Sequence, residues 1–75
     1  MLERHLAQAK RHVAQGKAHI EKQHRIIADL QSKGHDMAGA KDLLSTLLQT
    51  QESHERDLRR VLEELANQSP GSEVL

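Results

Sequence analysis

Three consecutive segments decide the first half of the fold: RHLAQAK over residues 4–10, RHVAQGK over residues 11–17 and AHIEKQH over residues 18–24. Self-similarity at seven residues is typical of a helix that keeps one apolar seam towards a partner over many turns. Placing Leu6 at heptad position a extends the same frame through both halves of the chain. The a and d positions are Leu2, Leu6, Ala9, Val13, Gly16, Ile20, Gln23, Ile27 and Leu30 in the first half, and Met37, Ala40, Leu44, Leu47, Gln51, His54, Leu58, Val61 and Leu65 in the second.

Glycine and aspartate mark the turn between these halves. Gly34 suits the left-handed residue that closes a helix, and Asp36 suits the N-cap of the next one. A connection this short makes the two helices antiparallel, so the sequence predicts an all-α helical hairpin. The predicted boundaries are a hairpin over 1–68, helix 1 at about 2–33, a turn at 34–36, helix 2 at about 37–67 and a disordered tail at 69–75.

Pairing equal heptad letters across the turn gives a predicted register. Facing residue numbers then add up to about 70 or 71, so that Ile27 meets Leu44 and Gly16 leaves room for the imidazole of His54. The same arithmetic brings opposite or compatible charges together beside the seam, as in His12 with Asp57. Residues 1–33 carry seven basic and three acidic side chains, whereas residues 36–64 carry four and seven, which also favours antiparallel docking.

Large apolar side chains also fall outside the seam, at positions that flank it. These candidate interface residues are Ile26, Leu43, Leu48 and Leu62. A stripe of seam plus flank suits a helix with two neighbours, and one hairpin of this size has a marginal core. We therefore expect a homodimer that forms a four-helix bundle. A lone hairpin and a helical partner protein are the alternatives.

The middle of the seam is polar. Its members are Gly16, Gln23, Gln51 and His54. Buried polar groups of this kind can fix the register and oligomeric state of a helical pair at some cost in stability.

Composition excludes several classes of function. The 75-residue chain has 11 basic and 11 acidic side chains and contains neither Cys nor Phe, Tyr or Trp. Without Cys there is no disulfide framework or thiolate metal site, and zero net charge argues against a nucleic-acid partner. Runs of large apolar residues no longer than two argue against a membrane span and leave the cytoplasm as the expected compartment.

An enzyme is not expected, and no catalytic residue or cofactor is predicted. The Ser and Thr side chains lie on helical segments without a Gly-rich elbow or an oxyanion-binding loop, and two helices alone form no concave pocket.

Histidine is unusually frequent, with six residues in the chain, but none of them has the three- or four-residue spacing of a metal site on one helix. A metal site would need His12, His19 and His54 to meet across the pair. The alternative function is therefore a pH sensor or a small transition-metal-binding protein that uses its histidines.

The strings RHVAQGKAHIEKQHRIIADL, GHD, AKDLLSTL and SHERDL resemble those of short alpha-proteobacterial, rhizobial-type two-helix proteins without an established activity. The resemblance covers about residues 3–60 and implies a bacterial helical hairpin with no catalytic residues to carry over. Met37 stands where the group's pattern has Thr. From the residues and the resemblance together, we expect a small interaction or regulatory module that acts through helix–helix contacts and self-association.

Overall fold

The computed structural model describes residues 2–68, which form two antiparallel helices, α1 over Leu2–Ser32 and α2 over Ala38–Asn67. The predicted all-α helical hairpin is confirmed. Each helix begins or ends within one residue of the boundary expected from the sequence, a difference within the ordinary uncertainty of helix ends. The segment 69–75, expected to be a disordered tail, lies outside the described residues.

Gly34 closes α1 in the way that the sequence predicts. Its φ of 72° is in the left-handed region, where a side chain would be strained. The His35 N–H donates to the Leu30 carbonyl at 2.9 Å and the Gly34 N–H donates to the Gln31 carbonyl at 3.1 Å, which is the bonding pattern of a Schellman motif. The last carbonyl groups of α1 are thereby satisfied, and the chain reverses.

The start of α2 differs from the prediction by one residue. Met37, rather than Asp36, is the N-cap, and its side chain makes no capping hydrogen bond. Asp36 lies one position earlier, where its Oδ1 accepts a hydrogen bond from the Ala38 N–H at 3.0 Å. The carboxylate therefore satisfies a free helix donor through an Asx turn that precedes the cap.

The predicted register is wrong. Gly16 faces Gln51 and not His54, because a Cβ at position 16 would overlap the Gln51 Oε1 atom and lie 2.7 Å from its Cδ. His54 instead contacts His12, with ring centroids 5.1 Å apart. Facing residue numbers thus add up to about 67, which is three or four fewer than expected.

The pairing of a with d positions follows because two packed helices must advance by the same axial distance between successive contacts. From an a position to the next d position, α1 advances by three residues, so the facing residue on the reversed helix must move back by three. On the reversed helix, a move back of three residues leads from a d position to the preceding a position. A move back from an a position reaches the preceding d position only after four residues. An antiparallel pair therefore matches a with d, and matching equal letters, as in the prediction, cannot keep one register along the seam.

The seam buries few apolar side chains. Within residues 2–68, the buried apolar residues are Ala9 and Val61, at 3 % and 6 % exposure, and the larger seam residues are only half-buried. Gln23 and Gln51 are as deeply buried as Val61. A hairpin of this kind has a thin interface and no enclosed core.

Candidate interaction surface

Two glutamines join the helices through the backbone. The Gln51 Nε2–H group donates to the Val13 carbonyl oxygen at 2.9 Å, and the Gln23 Nε2–H group donates to the Ala40 carbonyl oxygen at the same distance. Each helix therefore supplies one buried amide that binds a main-chain oxygen of the other helix. A buried amide is stabilising only when it is bonded, so these two contacts fix the axial position of one helix against the other.

Gly16 is the counterpart of Gln51. The Gln51 Oε1 atom is buried, and no hydrogen-bond donor in the described part of the chain reaches it. It occupies the place that a Cβ would take at position 16, and it therefore faces the Cα–H bond of Gly16 in a weak C–H···O contact. The glycine, which costs about 1 kcal/mol in a helix interior relative to Ala, makes room for the amide.

The Leu48 flank is one side of the hairpin, formed by heptad positions e and b of both helices. Its groove has a volume of about 490 Å³, and its lining residues are Lys17, Ile20, Glu21, Leu48, Gln51, Glu52 and Glu55. Leu62 follows Leu48 by fourteen residues and so lies on the same side of α2. The two leucines are 46 % and 45 % exposed.

The His12 flank is the opposite side, formed by positions g and c. Its groove has a volume of about 280 Å³, and its lining residues are His5, Gln8, Ala9, His12, Asp57, Arg60 and Val61. Towards the turn this flank carries Ile26 and Leu43, which are 39 % and 49 % exposed. Ile26 follows His12 by fourteen residues and Leu43 precedes Asp57 by fourteen, so each pair lies on the same side of its helix.

The charge pairing predicted for the His12 flank is not formed. Asp57 contacts Arg60 of its own helix, three residues away, and the His12 ring lies against His54 at an interplanar angle of 41°. Throughout residues 2–68, no ion pair joins His12 to Asp57. The predicted partner is bound locally because a pair three residues apart on one helix needs no particular register.

The structure does not bring all of the predicted site residues together. The four candidate interface residues are all exposed, but they divide between the two flanks, two on each, so one contact cannot cover all of them. Of the polar seam, Gly16, Gln51 and Gln23 lie at the interface and His54 is half-buried. The carbonyl acceptors at Val13 and Ala40 were missed, because main-chain acceptors carry no side-chain signal in a sequence.

The alternative metal site is only partly assembled. His12 and His54 are neighbours, whereas His19 is exposed and takes no part in their contact. In the part of the chain that the structure describes, no group of three His, Asp or Glu side chains is close enough to hold a metal ion. Two imidazoles alone leave a tetrahedral ion half-coordinated.

Comparison of the chain with protein families, curated proteins and solved structures found no match. In addition, neither helix within residues 2–68 has the length and apolarity to cross a membrane.

Proposed function

We propose that this protein is a small, non-enzymatic helical interaction module that associates with itself to form a four-helix bundle. The observation that carries the proposal is the distribution of apolar surface. The four largest exposed apolar side chains are 39–49 % accessible, although the described residues bury only Ala9 and Val61 among apolar side chains. Covering such side chains is the main favourable contribution to helix–helix association.

The balance of energies supports association. Ordering each residue costs about 1.5 kcal/mol, and fully burying a Leu or Ile contributes roughly 1.5–3 kcal/mol, so a thin seam leaves little net stability. A second hairpin would cover the half-exposed leucines and the open sides of the seam without any new element of structure. Closed two-fold dimers are the commonest solution for small soluble chains.

The charges of the two helices support a second copy as the occupant. Helix α1 carries six basic and three acidic side chains, whereas α2 carries four basic and six acidic ones. A chain with one basic and one acidic helix is complementary to itself. A different helical protein could bind only if it matched the same charge pattern. Binding of such a partner is the alternative to self-association.

Light scattering combined with thermal melting tests the proposal. From low micromolar to near-millimolar concentration we expect the molar mass to approach twice the 8.5 kDa of the chain, and the melting temperature to rise with concentration. A mass that stays at 8.5 kDa, with a melting temperature independent of concentration, would overturn self-association.

A second candidate function rests on the contact between His12 and His54. Their ring centroids are 5.1 Å apart, close to the separation of roughly 5 Å that two imidazoles adopt on one tetrahedral ion. We propose the metal-binding role as an alternative. It requires further ligands from solvent or another molecule, and titration with a divalent transition metal tests it.

A further inference from the structure

The Leu48 flank has the shape and composition of a helix-packing surface. Beyond its groove, the outer b positions of α1 are mostly alanine, namely Ala7, Ala14 and Ala28, all of them exposed. The corresponding outer c positions of the His12 flank are Gln8, Gln15, Lys22 and Asp29. A neighbouring helix can approach alanine closely, whereas long polar side chains would have to be desolvated or moved aside.

In the middle of the Leu48 flank, between the axial heights of Lys10 and Lys17, the charges differ by helix. Outside this stretch both signs occur on both helices, with Glu3 and Glu21 on α1 and Lys41 and Arg59 on α2. Inside it, Lys10 and Lys17 belong to α1, whereas Glu52 and Glu55 belong to α2. In the observed register, where facing numbers add up to about 67, the two acidic residues lie at nearly the same axial height as the two lysines. A copy that presented its α1 at this height to α2 would therefore place lysines beside glutamates.

We propose that a second copy of the chain docks on the Leu48 flank with both turns at the same end, so that α1 of each copy faces α2 of the other. The inference rests on the proposed self-association and specifies its face and its orientation. The two-fold axis then runs along the length of the hairpin, and every pair of neighbouring helices in the bundle is antiparallel.

Charge disfavours the other two-fold arrangement of the same flank. With the turns at opposite ends, α1 would face α1 and α2 would face α2. With the two-fold axis at the height of Lys17, where the two hairpins overlap most fully, Lys17 would approach the partner's Lys17 and Arg59 would approach the partner's Lys41. Like charges placed opposite one another across an interface oppose that arrangement. The same-end arrangement brings Arg59 near the partner's Lys10, but it also sets Glu52 and Glu55 beside the partner's two lysines.

The same-end arrangement predicts particular contacts. Leu62 lies about two residues from the axial height of Ala7 in the observed register, so it would pack on the partner's Ala7. Glu55 would lie between the partner's Lys10 and the partner's Ala14. Leu48 would close the groove floored by Ile20 and Gln51 against the stem of the partner's Lys17.

Cysteine cross-linking tests both the face and the orientation, because the natural chain contains no Cys. Two single variants, Ala7→Cys and Leu62→Cys, are mixed and oxidised, so that every disulfide joins two chains. The positions are exposed, and circular dichroism checks that both variants keep their helix content. If the two variants paired at random, half of all disulfide-linked dimers would join position 7 to position 62. We expect this mixed dimer to exceed one half, since disulfides form only at short Cα separations.

Two matched mixtures supply the opposing outcomes. Gln8→Cys with Arg60→Cys probes the His12 flank at the same height, and Ala38→Cys with Leu62→Cys probes the Leu48 flank with turns at opposite ends. An excess of mixed disulfide in either mixture would overturn the inference while self-association stands. Random pairing in all three mixtures, with a mass of 8.5 kDa by light scattering, would overturn the proposed function as well.

Discussion

The Leu48 flank and the His12 flank belong to the same seven-residue repeat, yet they differ in what they leave exposed. The first carries two leucines separated by two heptads, an apolar groove and outer alanines. The second groups its apolar pair, Ile26 and Leu43, near the turn, and fills the rest with imidazole, carboxylate and guanidinium groups. The comparison teaches that a heptad repeat produces a helical pair with two distinct sides. What each side exposes to solvent depends on the residues beyond the seam.

Replacing one leucine by aspartate on each flank should give the largest difference between the flanks, measured as the dissociation constant of the dimer. Leu48→Asp and Leu43→Asp replace leucines of similar exposure, 46 % and 49 %, on opposite sides. We expect Leu48→Asp to raise the dissociation constant of the dimer roughly 30-fold or more, about 2 kcal/mol, because it removes the apolar area that Leu48 would bury in the contact. Sedimentation equilibrium measures both variants, and Leu43→Asp should stay within a few-fold of the natural chain. Equal dissociation of both would mean that the flanks are equivalent.

The floor of the Leu48 groove provides a second, smaller effect. Gly16→Ala should contribute about 1 kcal/mol of helix propensity, but it forces the Gln51 amide away from the Val13 carbonyl, a hydrogen bond of comparable value. We expect little net change in the free energy of unfolding in the natural chain. In the Gln51→Ala background the full gain of about 1 kcal/mol should appear.

Urea denaturation of the two single variants and the double variant, at one protein concentration, measures this coupling. Gly39→Ala is the control, because its added Cβ would meet no neighbour. Additive changes for Gly16 and Gln51 would contradict the contact and the register derived from it.

The contact between His12 and His54 should give the smallest effect. With only His12 and His54 adjacent, Ni²⁺ at a concentration near its dissociation constant should stabilise the fold by about 0.4 kcal/mol. Thermal melts with and without Ni²⁺ measure the shift. His54→Ala should abolish it, and His19→Ala should preserve it, since His19 is exposed and outside the contact. A shift that survives His54→Ala would assign the metal to other histidines.

Local signals were sufficient for the helices and the turn. The left-handed Gly34 and the carboxylate of Asp36 act on neighbouring backbone groups, so their roles were predictable, with an error of one residue at the N-cap. The register was not predicted correctly because several pairings bring apolar residues together. Choosing among them depends on equal axial steps and on the fit of Gln51 against Gly16.

Sequence alone determined that this protein is a helical hairpin, because hydrophobic periodicity and helix-ending residues act over a few positions along one chain. Tertiary structure alone decided which residues face each other and how the exposed apolar residues divide. The contact of His12 with His54 and the bonds from the two glutamines to backbone carbonyls appear only when the helices are aligned. The physical reason is that axial alignment is a property of two surfaces in contact, and neither helix carries it by itself.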